Sequence, residues 1–334
     1  MERAPGQSRA YAPLMSRLRI DPYILALLAT VGLAAVLPAR GVVATGLGHV
    51  TTIAIGFLFF LYGARLSTRE ALDGLKHWRL HTLVLACTFV LFPVLGLLCQ
   101  LLVPHLLTPD LYTGVMFLCC LPSTVQSSIA FTSIARGNVA AAICSASFSN
   151  LIGIVLTPLL VTVFIVNGSG GVSFDSIRDI LLQLLAPFVA GQVLRRWIAG
   201  FLTRHKKVLG YVDRGSILLV VYAAFSEGVA AGIWGRLSVV SLALLLACNT
   251  VLLAVVLVAT TVLARRLKFG KADEIAIVFC GSKKSLASGL PMASVLFPAA
   301  SVGLTVLPLM LFHQMQLMVC AWLARRYADQ YSHA

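Results

Sequence analysis

Two adjacent lysines, Lys283 and Lys284, lie in the middle of an apolar stretch that is long enough to cross a membrane. A loop outside the membrane would also explain them, but the apolar residues on either side place both ammonium groups near the middle of the bilayer. A charge at that depth is costly and by default marks a function. Neighbouring residues of a helix point about 100° apart, so we expect the two lysines to have different roles. One of them would face an anionic substrate. The other would pair with a carboxylate or take the place of a bound cation, and a buried lysine also permits proton coupling.

The residues around the lysines predict an interrupted helix. The stretch from Phe279 to Pro291 reads F-C-G-S-K-K-S-L-A-S-G-L-P, and its glycines and proline are poor helix residues. Its serines can bond to main-chain groups in place of the helical hydrogen bonds. Broken helices with polar side chains at the bilayer midplane form the substrate sites of many secondary transporters. We therefore predict a substrate site that includes Lys283, Lys284, Ser282 and Ser285.

A second polar stretch lies 159 or 160 residues earlier, where Cys120–Ser128 reads C-L-P-S-T-V-Q-S-S. Pro122 removes a helical donor, and the neutral oxygens nearby suit a small cation or a substrate. Hydrogen bonds that hold membrane helices together are the alternative. Two interruptions at equivalent places are hard to explain by chance, so we favour a site. It adds Thr124 and Gln126 to the substrate residues and Ser123, Ser127 and Ser128 to the ion-binding residues.

Three more polar residues extend the predicted ion site. Glu227 is a carboxylate well within an apolar segment, where it can partner a lysine or carry protons. A position near the outer membrane interface is the alternative. Ser149 and Asn150 can complete the ion site, although a tight helix–helix interface explains them more simply. A polar patch in the last apolar segment contains His313 and Gln316, without a second ligand spaced for a metal.

Composition indicates the class of protein. The chain has 334 residues, of which 59% are hydrophobic and 11% charged, and this balance is typical of a polytopic protein of the lipid bilayer. Most of its apolar segments reach the ~20 residues of a membrane-spanning helix, which predicts an all-α fold with ten transmembrane helices. The segments are 22–39, 44–64, 80–103, 111–134, 139–166, 179–197, 215–235, 237–264, 273–298 and 301–324. We find no metal-type cysteine spacing, P-loop, dinucleotide fingerprint or nucleophile elbow, so neither an enzyme nor a cofactor is predicted.

The positive charge predicts the orientation. The net charge is +14, and 21 of the 26 lysines and arginines fall in connections on one side of the predicted spans, against three on the other. The positive-inside rule therefore places both termini in the cytoplasm, in an inner or plasma membrane. The same distribution argues against nucleic acid as a partner, because the excess charge serves topology and attraction to anionic lipid.

The spacing of the spans predicts an internal duplication. Residues 22–166 and 179–324 each hold five spans, between tails at 1–21 and 325–334. Because five is odd, the second half must be inserted upside down relative to the first, which gives a 5+5 inverted repeat. The interrupted helix is the fourth of each half, so helices 4 and 9 of the chain are predicted to be broken and to meet.

Several motifs resemble the bile-acid:sodium symporter family, in a divergent branch that includes its human seventh member and bacterial proteins. They are A-R-G-N-V-A at Ala135–Ala140, Pro187 and Gly191 in the sixth span, and the stretch from Phe279 to Pro291. The resemblance implies a panel domain of helices 1, 2, 6 and 7 and a core domain of helices 3–5 and 8–10. It also implies that helices 4 and 9 cross at the site, and that organic anions, often with sodium, are carried by alternating access.

The resemblance also maps the family's sodium ligands onto this chain. They fall on Ser127 and Ser128 at the first break, where the second is usually an asparagine. At the second break the usual acidic ligand and glutamine fall on Ser282 and Leu286, and lysines stand beside them. An ammonium group repels sodium by several kcal/mol at low effective dielectric, which argues against sodium coupling, and proton coupling is the other option.

The sequence therefore predicts a secondary transporter of a small or amphipathic organic anion. Replacing both lysines by alanine should abolish transport without unfolding the protein. The alternative is a non-transporting membrane regulator or partner-binding protein, in which the lysines would be locked in internal ion pairs without a cavity.

Overall fold

The structure is a computed structural model that describes residues 22–65, 77–166, 174–232, 235 and 237–332. Every regular element in those ranges is a helix, which confirms the all-α prediction. Six of the helices are long and apolar enough to cross a membrane, as expected for a polytopic membrane protein. The predicted N-terminal tail lies outside the described residues.

We number the helices in chain order. They are α1 Pro22–Val36, α2 Gly41–Arg65, α3 Trp78–Leu102, α4 Pro109–Cys120, α5 Gln126–Ile134, α6 Val139–Val161, α7 Phe174–Arg204, α8 Lys206–Ala230, α9 Val239–Arg266, α10 Lys271–Gly281, α11 Leu286–Leu296 and α12 Ala299–Ser332. Helix α3 contains a π-helical turn at Cys87–Leu91, and α6 continues as a π-helical turn at Thr162–Val166. Helix α12 runs past its predicted end at residue 324, because no glycine or proline follows to stop it.

Each of the two segments predicted to be interrupted consists of two short helices. Helices α4 and α5 are separated by residues 121–125, the first break, and α10 and α11 by residues 282–285, the second break. Pro122 lies just after α4, where it cannot donate to the helix. In the second break Ser285 caps α11, because its side chain accepts from the Ser288 N–H. The local chemistry of each sequence therefore ends one helix and begins the next.

The turn between α5 and α6 positions the two breaks relative to each other. Arg136 has a positive φ of 57°, and Asn138 then caps α6 by accepting from the Ala141 N–H. The Asn138 amide donates to the Asp273 carboxylate at 2.8 Å, and its main-chain N–H donates to the Ala272 carbonyl at 2.9 Å. The turn that follows the first break is thus tied to the start of α10, which leads to the second break.

Helices α2 and α7 approach each other closely through two glycines. A Cβ atom at Gly63 would overlap the carbonyl oxygen of Phe188, and one at Gly191 would overlap the carbonyl oxygen of Phe60. Small residues at such positions allow membrane helices to pack backbone against backbone. The close packing of the two helices therefore depends on the absence of a side chain at both positions.

Replacing Gly63 with alanine should destabilise the protein by about 1–3 kcal/mol, because the added methyl group forces the two backbones apart. Gly46 lies on the same helix with open space around it, so Gly46→Ala is a matched control that should leave stability unchanged or slightly raised. Thermal unfolding of both purified variants in detergent checks the prediction. Equal melting temperatures for the two variants would show that this contact does not hold the helices together.

Candidate functional site

The two breaks are in direct contact. The Ser285 N–H donates to the Pro122 carbonyl at 2.9 Å, so a main-chain hydrogen bond joins the second break to the first. The Ser123 hydroxyl donates to the Cys280 carbonyl at 2.6 Å, and the Ser128 hydroxyl donates to the Phe279 carbonyl at 2.9 Å. One hydroxyl from the first break and one from the start of α5 therefore satisfy carbonyls at the end of α10, which the helix interruption leaves free.

Lys284 is held entirely by main-chain oxygens. Its side chain is 0% exposed, and its ammonium donates to the carbonyls of Thr88, Cys119 and Leu121 at 2.8, 2.9 and 2.7 Å. The ring of Phe92 lies beneath it, with the ammonium 4.0 Å from the ring centre. An ammonium group has three donors, and here each one has an acceptor. We call the three carbonyls and the ring the carbonyl cage.

The sequence explains why these carbonyls are free. In the π-helical turn of α3 the Thr88 carbonyl would pair with residue 93, but Pro93 has no N–H. The Cys119 carbonyl would pair with the Ser123 N–H, which instead donates to the Ser149 hydroxyl at 2.9 Å. The Leu121 carbonyl lies past the end of α4. Unpaired carbonyls in an apolar interior are costly, and the ammonium of Lys284 satisfies all three.

Gln316 fixes the main chain of the second break. Its amide oxygen accepts from the Lys284 N–H, and its amide nitrogen donates to the Lys284 carbonyl, both at 2.9 Å. The same nitrogen lies 2.8 Å from Nδ1 of His313. Gln316 is fully buried on α12, so it directs the side chain of Lys284 into the carbonyl cage. In the sequence Gln316 is part of a polar patch in the last apolar segment, and nothing in that pattern predicts its contact with Lys284.

Lys283 has a different environment, as its position next to Lys284 on the chain predicts. It is also 0% exposed, but no partner within hydrogen-bonding distance of its ammonium exists among the described residues. The ammonium lies 4.0 Å from the ring centre of Phe131 and 5.3 Å from that of Phe279. Aromatic faces attract a cation, but weakly compared with a counter-ion. The described surroundings of Lys283 therefore offer no counter-ion for its amino group in the protonated form.

A network of neutral polar groups joins α6 to both breaks. The Asn150 amide donates to the Ser123 carbonyl at 2.7 Å, and its oxygen accepts from the Ser288 hydroxyl at 2.8 Å. The Ser288 hydroxyl in turn accepts from Ser285 at 3.0 Å. Ser149 belongs to the same network through its bond to the Ser123 N–H. The structure thus brings together four of the predicted site residues, Ser123, Ser149, Asn150 and Ser285. Ser288 joins them as a residue outside the predicted set.

Other predicted site residues are bonded locally or lie elsewhere. The hydroxyls of Thr124 and Ser127 are 2.7 Å apart, and Thr124 is 3.2 Å from Ser128. The Ser282 hydroxyl donates to the Val278 carbonyl at 2.6 Å, one turn earlier. Gln126 is exposed on the first turn of α5. The hydroxyls of the breaks are therefore used within the protein, and Gln126 takes no part in the contacts between the breaks.

Glu227 lines a separate cleft of about 240 Å³. Residues of α2, α7, α8, α11 and α12 form its walls, among them the polar residues Thr51, Thr52, Gln183, Ser226, Glu227 and Ser294. Neither lysine is among the described residues that line it. In this conformation the cleft and the two breaks are distinct places in the molecule.

Comparison with known proteins identifies a matching family and several similar proteins. Residues 21–329 match the family described as SBF-like CPA transporters. An uncharacterized protein of Pseudomonas aeruginosa is 60% identical over 94% of this chain and 95% of its own length. YfeH of Escherichia coli, whose name marks it as a candidate symporter, is 54% identical over 93% of this chain and 94% of its own. The rat protein named sodium/bile acid cotransporter 7 is 31% identical over 92% of both chains.

Proposed function

The chain belongs to the SBF-like CPA transporter family, and we propose that it moves a small or amphipathic organic anion across the membrane by alternating access. The family is one of symporter-type membrane transporters rather than enzymes, and its members take small molecules as substrates. The apolar helices agree with a multi-pass membrane protein. Beyond membership in this transporter family, we propose the class of substrate and the mechanism of transport.

The observation that carries the proposal is the unpaired ammonium of Lys283. A buried charge without a counter-ion costs several kcal/mol, so a protein that retains one needs it for a function. An anionic group of a substrate would supply the missing counter-ion beside two aromatic rings that also accept apolar groups. This arrangement suits a molecule with one anionic group and an apolar body.

Access to Lys283 requires a movement. Its ammonium is fully buried, and Phe131, which is half-buried, covers it on one side. We propose that α1, α2, α7 and α8 form a panel domain and the remaining helices a core domain, related as a ten-span 5+5 inverted repeat. The cleft that contains Glu227 lies between α2 and α8 on one side and α11 and α12 on the other, so a relative motion of the two domains would extend it towards the breaks.

The orientation follows from the positive-inside rule. With both termini in the cytoplasm of a cell, in its inner or plasma membrane, the cleft lies in the outer half of the protein, because Ala44 and Glu227, which line it, are near the ends of α2 and α8 opposite the basic connections. We propose that this cleft is the outer route to the substrate site. Glu227 would bind an accompanying cation or proton on that route rather than partner a lysine.

A non-transporting regulator remains the second candidate function because one observation favours it. In this conformation both lysines are sealed from solvent, and Lys284 is locked by internal hydrogen bonds. However, the lock consists of carbonyls rather than ion pairs, and Lys283 has no such lock among the residues that the structure describes. The names of two of the reported relatives, YfeH and the rat cotransporter 7, also describe transporters. We therefore favour transport.

Binding of organic anions to the purified protein tests the proposal. Thermal unfolding is measured in detergent across a panel of monoanions that differ in the size of the apolar body, each with a neutral analogue of the same shape. A ligand that binds at 100 times its Kd stabilises the folded form by about 2.7 kcal/mol. We expect saturable stabilisation by one class of anion and none by its neutral analogues. Stabilisation by neither, together with no uptake into vesicles, would favour the regulator.

A further inference from the structure

The carbonyl cage around Lys284 has the donor set of a monovalent cation site. Three main-chain oxygens from two separate parts of the chain converge on one point, at 2.7 to 2.9 Å from the ammonium. Main-chain carbonyls replace the water shell of monovalent cations in channel filters, and unwound carbonyls coordinate the coupling cations of many transporters with broken helices. In this protein the positive charge at that point belongs to a side chain.

The positions onto which the family's sodium ligands map do not fit sodium in this chain. The Ser128 and Ser282 hydroxyls are engaged with main-chain carbonyls at 2.9 and 2.6 Å. Leu286 is apolar and 3% exposed, so its side chain offers no oxygen. The charge that would balance a cation is absent from this set, since each of its members is neutral, and Lys283 adds a positive charge beside it.

We propose that the Lys284 ammonium is a covalently tethered replacement for a monovalent cation, so that the two breaks are held together without sodium. The tether is positioned from both ends, since Gln316 fixes its main chain and Phe92 lies under its ammonium. An ion bound by the same carbonyls would join α3 to α4 and the first break only when it is present, whereas the lysine makes that connection permanent and also attaches it to the second break. Sodium would then have no part in the assembly of the site or in driving transport from it.

Truncation of the side chain tests this inference by chemical rescue. Lys284→Ala removes the ammonium and leaves a space that methylammonium can enter, whereas Lys284→Met fills that space with an apolar group. We expect both variants to melt about 5 °C or more below wild type. Methylammonium chloride should raise the melting temperature of Lys284→Ala saturably, by a few degrees, but not that of Lys284→Met. Equal responses of the two variants to methylammonium would overturn the inference.

A second measurement uses the wild-type protein and does not depend on the folding of a variant. Its melting temperature is compared in sodium, potassium and N-methylglucamine chloride at constant ionic strength. We expect the same value in all three salts. A saturable stabilisation specific to sodium would contradict the inference, and this result decides the matter if Lys284→Ala cannot be purified.

The inference concerns the ion dependence of the transporter proposed above, but its tests use no substrate. If the anion panel gives no stabilisation while methylammonium rescues Lys284→Ala, then the proposed function fails and the tethered cation stands. If anions bind and sodium stabilises the wild-type protein specifically, then the function stands and the tethered cation fails.

Discussion

Replacing Lys283 with methionine should abolish anion binding and transport while leaving the protein folded. Removing one partner of a buried charge pair costs about 2–5 kcal/mol, so we expect the affinity for a bound anion to fall by about 30-fold or more. The substrate-free protein should be as stable as wild type or more stable by about 1–3 kcal/mol, because a methionine is not penalised for lacking a counter-ion among Phe131, Phe279 and their apolar neighbours.

Anion-induced thermal shifts and uptake into proteoliposomes measure this effect. Lys206 is exposed at the start of α8, so Lys206→Met is a control that removes a lysine without touching the site. A variant Lys283→Met that binds anions with wild-type affinity would remove Lys283 from the substrate site. A large loss of stability would instead show that its ammonium has an essential structural partner.

Replacing Lys284 with methionine should have the opposite effect on stability. Three buried carbonyls, those of Thr88, Cys119 and Leu121, would lose their donor in an apolar interior. Each buried polar group left unpaired costs about 1–3 kcal/mol, and the surroundings relax in part. We therefore expect a loss of about 3–5 kcal/mol, comparable to the loss on breaking a buried ion pair.

Thermal unfolding of the two adjacent variants under identical conditions checks this prediction. The comparison is well matched, because both substitutions exchange a fully buried lysine for a methionine in the same segment. Equal destabilisation by the two substitutions would contradict the division of roles. The structure also limits the prediction made from sequence that both lysines can be removed without unfolding. We now expect this of Lys283 only.

The two interruptions could be predicted from sequence because their cause is local. Proline, glycine and serine act on the helix in which they lie, so Pro122 and the residues around Lys283 and Lys284 indicate breaks without knowledge of the fold. The close approach of α2 and α7 has a weaker local sign, since Gly191 stands out only through the family resemblance.

The different roles of the lysines could not be predicted, because they depend on main-chain groups from distant parts of the chain. A free carbonyl has no side-chain signature. The Thr88 carbonyl is available only because a π-helical turn aligns it with Pro93, five residues later, and because α3 packs beside the first break. The only signal in the sequence was Pro93, whose missing N–H leaves a carbonyl about one turn earlier without its helical donor.

Polarity alone also assigned to one predicted site residues that lie apart in the fold. Glu227 and Gln126 were assigned to the site because polar residues are rare in apolar segments, but the structure places Glu227 in the cleft and leaves Gln126 exposed. Polarity also failed to single out Gln316, which the sequence did not place in the site. It lies in a patch with two other polar residues, and only its contact with the Lys284 main chain distinguishes it.

Uptake of a radiolabelled anion from the responsive class, by proteoliposomes loaded with the same unlabelled anion and free of sodium, tests the central claim most directly. If Lys283 provides the charge for the substrate and no sodium is needed, wild-type vesicles should exchange the label with saturable kinetics, and Lys283→Met vesicles should match protein-free vesicles. Exchange by Lys283→Met at the wild-type rate, or exchange by wild type only after sodium is added, would contradict the account.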